Sequence, residues 1–232
     1  DQVSVKSILK NMPKLRSGLS KELDTSNNWQ KISNSALSNA HKYITGPRAQ
    51  LRLRERPSSR GAAFIRAAGT LSNDIPKSLH NWLIDDQIEG VVQHESRGHM
   101  SSDIERYSFV SLYGQIHDRS PHIKELPIDL LPNHKNVDSG NFVDRFKVQL
   151  ANYPSKTITS HIAKDSHAFI HYDPFQARGL TVREAARLQT FPENYFFEGN
   201  RTQQYVQVGN AVPPYLANQI GCIIARIIAL NK

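Results

Sequence analysis

The 232 residues carry 38% hydrophobic side chains, enough for one or two packed domains and too many for a wholly disordered chain. Lys and Arg number 29 against 21 Asp and Glu, a formal charge of +8 that favours polyanionic partners. Cys222 is the sole cysteine, which excludes an internal disulfide. No Cys/His cluster has zinc spacing and no apolar run reaches the ~18 residues of a membrane span, so a cytoplasmic setting without bound metal or membrane anchor is expected.

Residues 3–13, VSVKSILKNMP, read as a short helix stopped by Pro13, which cannot continue the hydrogen-bond ladder. The stretch 17–40 is rich in Ser, Asn and Lys with little apolar periodicity, which predicts a loop. In residues 48–60, Arg48, Arg52, Arg54, Arg56 and Arg60 face a single acid, Glu55. Alternation of Leu51 and Leu53 with arginine predicts a half-buried strand with a basic face. Such a face suits phosphates, which the guanidinium fork grips bidentately, and it can also read guanine edges. A solvated sheet edge, kept from aggregating by its charge, is the alternative.

The sequence SDIE at 102–105 has the form of a capping box, and Ile104, Phe109 and Leu112 then recur on one face, predicting a helix over 103–113. Before it, HESRGHM at 94–100 is a polar loop whose Arg97 and His99 join the candidate DNA contacts. His94 and His99 offer two metal ligands, but no third is evident in sequence. Residues 146–150, 157–161 and 168–172 predict short strands, the last two joined as a hairpin.

RGLTVREAARLQTFP at 178–192 predicts a helix opened by a Thr181–Glu184 capping box and stopped by Pro192. Val182, Ala185 and Leu188 would face a core while Arg183 and Arg187 lie together on another side, the pattern of an amphipathic surface helix. QYVQVGNAVPP at 204–214 reads as a Gly-Asn turn before a helix entrance, where unpaired N–H groups can receive a carboxylate or phosphate. Leu216, Ile220, Ile223, Ile224, Ile227 and Ile228 then make an apolar stripe on a closing helix.

In this order the last two segments resemble the ninth and tenth sequence motifs of the DNA cytosine-5 methyltransferases, R-x-L-T-x-R-E-x-A-R-L-Q-x-F-P and Q-x-G-N-x-V-P. The resemblance extends upstream through DRF at 144–146, PSKTITSH at 154–161 and FIH at 169–171, and to His99 and Arg106. The opening SILKNMP at 7–13 is similar to the segment after the family's eighth motif. In that family a cysteine thiolate adds to C6 of a cytosine flipped out of the duplex, and a methyl group passes from S-adenosylmethionine to C5.

The resemblance implies a mixed α/β fold: a small target-recognition domain with short strands, and C-terminal helices that complete a Rossmann-like methyltransferase domain. Residues 1–40 would be a connector from the catalytic domain, 41–176 the recognition domain, and 177–232 the returning helices. Arg178, Thr181, Arg183, Glu184, Arg187 and Gln189 would brace the recognition domain. Gln207, Gly209, Asn210, Ala211 and Val212 would close one side of the S-adenosylmethionine pocket.

The family's Pro-Cys loop and Phe-x-Gly-x-Gly cofactor loop have no counterpart here. Cys222, between Gly221 and Ile223 in an apolar helix, is expected to be buried and inert. The chain is therefore expected to be the C-terminal portion of a DNA (cytosine-5) methyltransferase of a restriction-modification setting, with no catalytic residue of its own and inactive alone. Its partners would be double-stranded DNA and an N-terminal catalytic half, in the same chain or as a separate subunit of a split enzyme. The exposed stripe would also drive self-association. A stand-alone DNA-binding module is the alternative reading, and it would bury the final helix within itself. A nonenzymatic assembly factor would have no use for the Gly-Asn turn.

Overall fold

Residues 2–45, 55–67, 71–132 and 145–230 are described by a computed structural model. The first helix, α1 (Val5–Leu9), is capped by the Ser4 hydroxyl, which accepts the Ser7 N–H, and it stops before Pro13 as its sequence predicts. The expected loop at 17–40 is instead the two-residue strand β1 (Gly18–Leu19) and the 20-residue helix α2 (Ser26–Thr45). Its inward stripe is Trp29, Ser33, Ala36, Leu37 and Ala40. Three of these five are Ser or Ala, so the helical period is present in size and not in hydrophobicity.

α2 lies against α4 (Ser101–His117), and Leu37 and Ala40 share a core with Tyr107, Phe109, Val110, Leu112 and Tyr113. α4 was foreseen, but the Ser102 capping box does not form: Met100 is the N-cap and makes no side-chain cap bond. The helix ends at Asp118, whose φ of 53° places it in the left-handed region.

Strands β2 (Gly61–Arg66) and β3 (Gly90–Glu95) form an antiparallel pair, with Gly61 opposite Glu95 and Arg66 opposite Gly90. The short helix α3 (Lys77–Leu83) lies between them in sequence, and β4 (Gly98–His99) pairs in parallel with β1. The basic strand expected around Leu51 and Leu53 falls outside the described residues. Strands expected at 146–150, 157–161 and 168–172 do not form. Val148 makes a single parallel bridge to Ile170, Ile170 a single antiparallel bridge to Gly179, and Ser160–Ala163 is a 3-10 turn. Ser166, at φ 65°, and the Asp173 side chain, which accepts the Phe175 N–H, turn the chain before a ladder can extend.

The helices α5 (Val182–Leu188) and α6 (Arg201–Asn210) complete the main core, in which Val182, Ala185, Ala186, Tyr205 and Val208 meet Val5, Ile8 and Leu9 of α1, Leu79 and Leu83 of α3, and Val91 of β3. The architecture is thus mixed α and β, as expected, and its main core is drawn from the beginning, middle and end of the chain.

The final helix, α7 (Pro214–Leu230), buries none of its residues. Leu216, Ile220, Ile223, Ile224, Ile227 and Ile228 are each between 46% and 56% exposed. Cys222 is exposed as well, which corrects its expected burial: its neighbours are apolar, but nothing among the described residues covers them. By length and composition Arg201–Leu230 would suffice to cross a membrane. Its first third is nevertheless a core helix, through the buried Tyr205 and Val208, and the helix breaks at 211–213.

Candidate functional site

The capping box that opens α5 is formed as its sequence predicts. The Thr181 hydroxyl accepts the Glu184 N–H at 3.2 Å, and a Glu184 carboxylate oxygen accepts the Thr181 N–H at 2.7 Å. That carboxylate also takes a two-pronged bond from the Arg178 guanidinium, 2.7 Å on each prong. Both side chains are fully buried. Burial opposes the charge on Glu184, yet the adjacent Arg178 outweighs it and holds the carboxyl well below the usual carboxylate range. Arg178 is further fixed by the Gln176 carboxamide oxygen and the Leu15 carbonyl.

Arg183 and Arg187 are not on a solvated face, which corrects the expectation of a surface helix. Arg183 donates to the carbonyls of Val92, Pro192 and Tyr195, and burial pushes its guanidinium pKa down to about 10. Arg187 donates to a Glu193 carboxylate oxygen at 2.6 Å and to the Ile8 carbonyl. A guanidinium has five donors and no acceptor, so a ring of carbonyls can satisfy it in the interior. The helix ends at Leu188, before Pro192, and Thr190 follows at φ 63°.

Two histidines flank this joint. His94 Nε2 lies 2.8 Å from the Pro13 carbonyl, which only accepts, so Nε2 carries the proton and Nδ1 accepts from the Thr181 hydroxyl at 2.9 Å. His171 Nδ1 accepts the Asp173 N–H, and its Nε2 stands 3.6 Å from Glu184. His99 accepts the Gly179 N–H at 3.3 Å and packs edge-on against Tyr107. His94 and His99 are therefore held by different partners, Pro13 and Thr181 for the one and Gly179 for the other, and among the described residues no three His, Cys, Asp or Glu side chains converge as metal ligands.

Of the seven residues expected on DNA, Arg48, Arg52 and Arg54 lie outside the described residues. The other four are engaged within the chain. Arg56 donates to Asn34 Oδ1 and to the carbonyls of Phe175 and Ser33, and its burial lowers its pKa to about 10. Arg60 pairs with Asp24 and reaches the Ser96 carbonyl. Arg97 donates to the carbonyls of Lys164 and Ile162 and lies 4.6 Å over the Tyr205 ring. The DNA contacts expected of Arg56 and His99 are corrected: at 8% and 4% exposure, neither is presented to a duplex.

The Gly-Asn pair is the C-terminal end of α6 and not a helix entrance, so backbone carbonyls and not N–H groups point past it. The helix entrance comes later, at Pro214. Gly209 is required by close packing: a Cβ there would come within 2.2 Å of the Ser160 nitrogen and 2.3 Å of the Thr159 carbonyl carbon. Gly209→Ala is expected to force α6 away from that backbone and cost about 1–3 kcal/mol. A thermal melt would read this as a fall of roughly 2–4 °C per kcal/mol, and an unchanged midpoint would refute the close approach.

Gln207 is exposed, its amide bonded to the Glu198 carbonyl; Asn210 is exposed, Ala211 half-buried and Val212 exposed. Asn210 and Val212 present a hydrogen-bonding amide and an apolar group two residues apart at the 210–212 turn. That pairing suits one flank of a nucleoside-bearing cofactor. Among the described residues, nothing closes the opposite flank.

A family model described as C-5 cytosine-specific DNA methylase matches residues 6–226. The type II methyltransferase M.Bpa9945I of Bacillus paralicheniformis is 45% identical over 139 residues, 60% of this chain and 29% of that protein. The type II methyltransferase M1.HphI of Haemophilus parahaemolyticus is 36% identical over 137 residues, 59% of this chain and 32% of that protein. The DNA (cytosine-5-)-methyltransferase M.ApeKI of Aeropyrum pernix is 40% identical over 75 residues, 32% of this chain and 16% of that protein. The chain thus spans less than a third of the length of each of these relatives. With the family model matching nearly all of it, through both signature segments, the chain belongs to the C-5 cytosine-specific DNA methylase family.

Proposed function

We propose that these residues are the target-recognition and C-terminal portion of a DNA cytosine-5 methyltransferase, and that the attacking cysteine comes from residues outside them. The observation that carries this reading is α7, which exposes seven large apolar side chains and buries nothing. A helix of that kind is built to lie against another domain. Residues 1–40 would lead in from that domain, 41–176 would read DNA, and 177–232 would return to it, with the Arg178–Glu184 joint fixing the recognition portion to the returning helices.

In this reading S-adenosylmethionine, the methyl donor of the family, supplies an electrophilic methyl group for C5 of a flipped cytosine. Asn210 and Val212 bind one flank of it. Gly209 holds the turn in place through its contact with residues 159–160. Arg48, Arg52 and Arg54, with the half-buried Arg60 and Arg97, are the remaining candidates for phosphate contacts. Cys222 has no part in the chemistry: its thiol sits on α7 with Asn218 Oδ1, 4.0 Å away, as its polar neighbour.

The test is methyl transfer from labelled S-adenosylmethionine to cytosine-containing duplex. The chain alone should transfer nothing, and a separately produced N-terminal part of the same enzyme should restore transfer on mixing, equally well with Cys222→Ser. Transfer by the chain alone that Cys222→Ser abolishes would overturn the proposal.

The same reading predicts association. Covering one Leu or Ile side chain is worth about 1.5–3 kcal/mol, so six of them left half in water should make the isolated chain dimeric or larger by light scattering. The N-terminal part should compete with that association. A monodisperse monomer with no affinity for that part would favour the stand-alone DNA-binding module instead.

A further inference from the structure

The last carbonyls of a helix normally receive N–H groups from the residues that follow it. After α6 those residues are Ala211, Val212, Pro213 and Pro214. The Ala211 N–H reaches the Val208 carbonyl at 3.4 Å, but neither proline has an N–H to give. The missing donors come from upstream. Gln189 Nε2 donates to the carbonyls of Val208 and Ala211, at 3.3 Å each. The Gln189 side chain is 4% exposed, and its backbone N–H closes the end of α5 on the Ala185 carbonyl. Beside it, the Thr190 hydroxyl accepts the Tyr215 N–H at the start of α7, and the Thr190 carbonyl accepts from the Trp82 indole. The 208–212 turn is thus held on one side by the Gln189 carboxamide and on the other by the 159–160 backbone, against which Gly209 lies.

We propose that Gln189 is a positioning residue for cofactor binding: its carboxamide stands in for the N–H that Pro213 lacks, and so sets the turn that carries Asn210 and Val212. The inference rests on the reading of those two residues as a flank of the S-adenosylmethionine site. It also gives the flank a mechanical link to the recognition portion, because Gln189 ends the helix whose N-cap, Thr181, is bonded to His94 of β3. Two prolines stiffen the turn, and one buried amide fixes where the stiff turn sits.

The experiment uses the full-length enzyme, with Gln189→Met, which keeps the side-chain length and removes both donors. The dissociation constant for S-adenosylmethionine should rise about tenfold, since the Ala211 carbonyl loses its donor and the Val208 carbonyl keeps only the long bond from the Ala211 N–H. Affinity for duplex measured without cofactor should change less than twofold. Pro213→Ala restores a backbone N–H, so in that background Gln189→Met should weaken the cofactor less than threefold. Equal losses in both backgrounds, or a loss of duplex affinity as large as that of cofactor affinity, would make Gln189 a general structural residue and overturn the inference. Val212→Asp separates the two levels. If it weakens the cofactor while Gln189→Met does not, the positioning role alone fails; if neither weakens it, the cofactor flank has been misassigned.

Discussion

Glu184→Leu is expected to lower folding stability by about 3–5 kcal/mol, the usual cost of removing one partner from a buried ion pair. Arg178 and Glu184 are both buried from water, and their two bonds of 2.7 Å are charge-assisted. Removing the carboxylate leaves the Arg178 charge in the core and takes the acceptor from the Thr181 N–H at the start of α5. Against a typical total of about 5–15 kcal/mol, such a loss removes a large fraction of the stability and would unfold a chain at the low end of that range. Urea denaturation of the variant and parent decides the matter. The double variant Arg178→Met, Glu184→Leu should be more stable than Glu184→Leu alone, because it removes the stranded charge along with its partner. A loss below about 1 kcal/mol for the single variant would mean that water reaches the pair, as at surface salt bridges.

That pair also shows which parts of the fold were legible. The Thr181–Glu184 box was, because all of its atoms lie within four residues and its geometry follows from helix termination alone. What Glu184 does with its second oxygen was not, since Arg178 reaches it only once Leu15 and Gln176 have fixed the guanidinium from distant and local sequence. The same holds for Arg183 and Arg187. Helical amphipathicity assigns charged residues outward, but two of their acceptors, Val92 and Ile8, lie 91 and 179 residues away, and Pro192, Glu193 and Tyr195 reach them only because the chain folds back past the end of the helix.

Arginine density in 48–60 pointed to a basic face, yet Arg56 is satisfied by Ser33, Asn34 and Phe175. Density reports charge, not direction. α2 was hidden by its composition, because Ser and Ala fill most of its inward positions. The β-branched run TITS at 157–160 promised a strand, and there tertiary packing prevailed: α6 lies on residues 159–160 through Gly209. Cys222 shows the converse error. Apolar neighbours imply burial only where a second surface exists to cover them, and α7 has none among the described residues.

Mild acid is expected to destabilise the chain, with the loss setting in below pH 6.5. Three buried histidines carry the argument. Burial is the main cause in each, pushing His94 down to about 4 and His99 to about 3, and lowering His171 against the pull of Glu184. In the unfolded chain each regains its ordinary value near 6.5. Between the folded and unfolded values the unfolded chain binds protons that the folded chain does not, so stability falls as pH falls through that window. A full shift of the size seen at His94 corresponds to roughly 3 kcal/mol at about 1.36 kcal/mol per pH unit, taken as an order of magnitude. The geometry agrees, because a proton on His94 Nδ1 would displace the bond from the Thr181 hydroxyl that caps α5. Glu184 acts in a lower window: its folded value is depressed, so its contribution persists above the ordinary carboxylate value of 4.5 and is lost only as pH falls below it. Urea midpoints measured at pH 7.5, 6 and 5 should therefore decline in steps while the carboxylates remain charged, and His99→Gln should flatten the decline. Midpoints that stay level from pH 7.5 to 5 would show that these imidazoles titrate as they do in water and are not held neutral by the core.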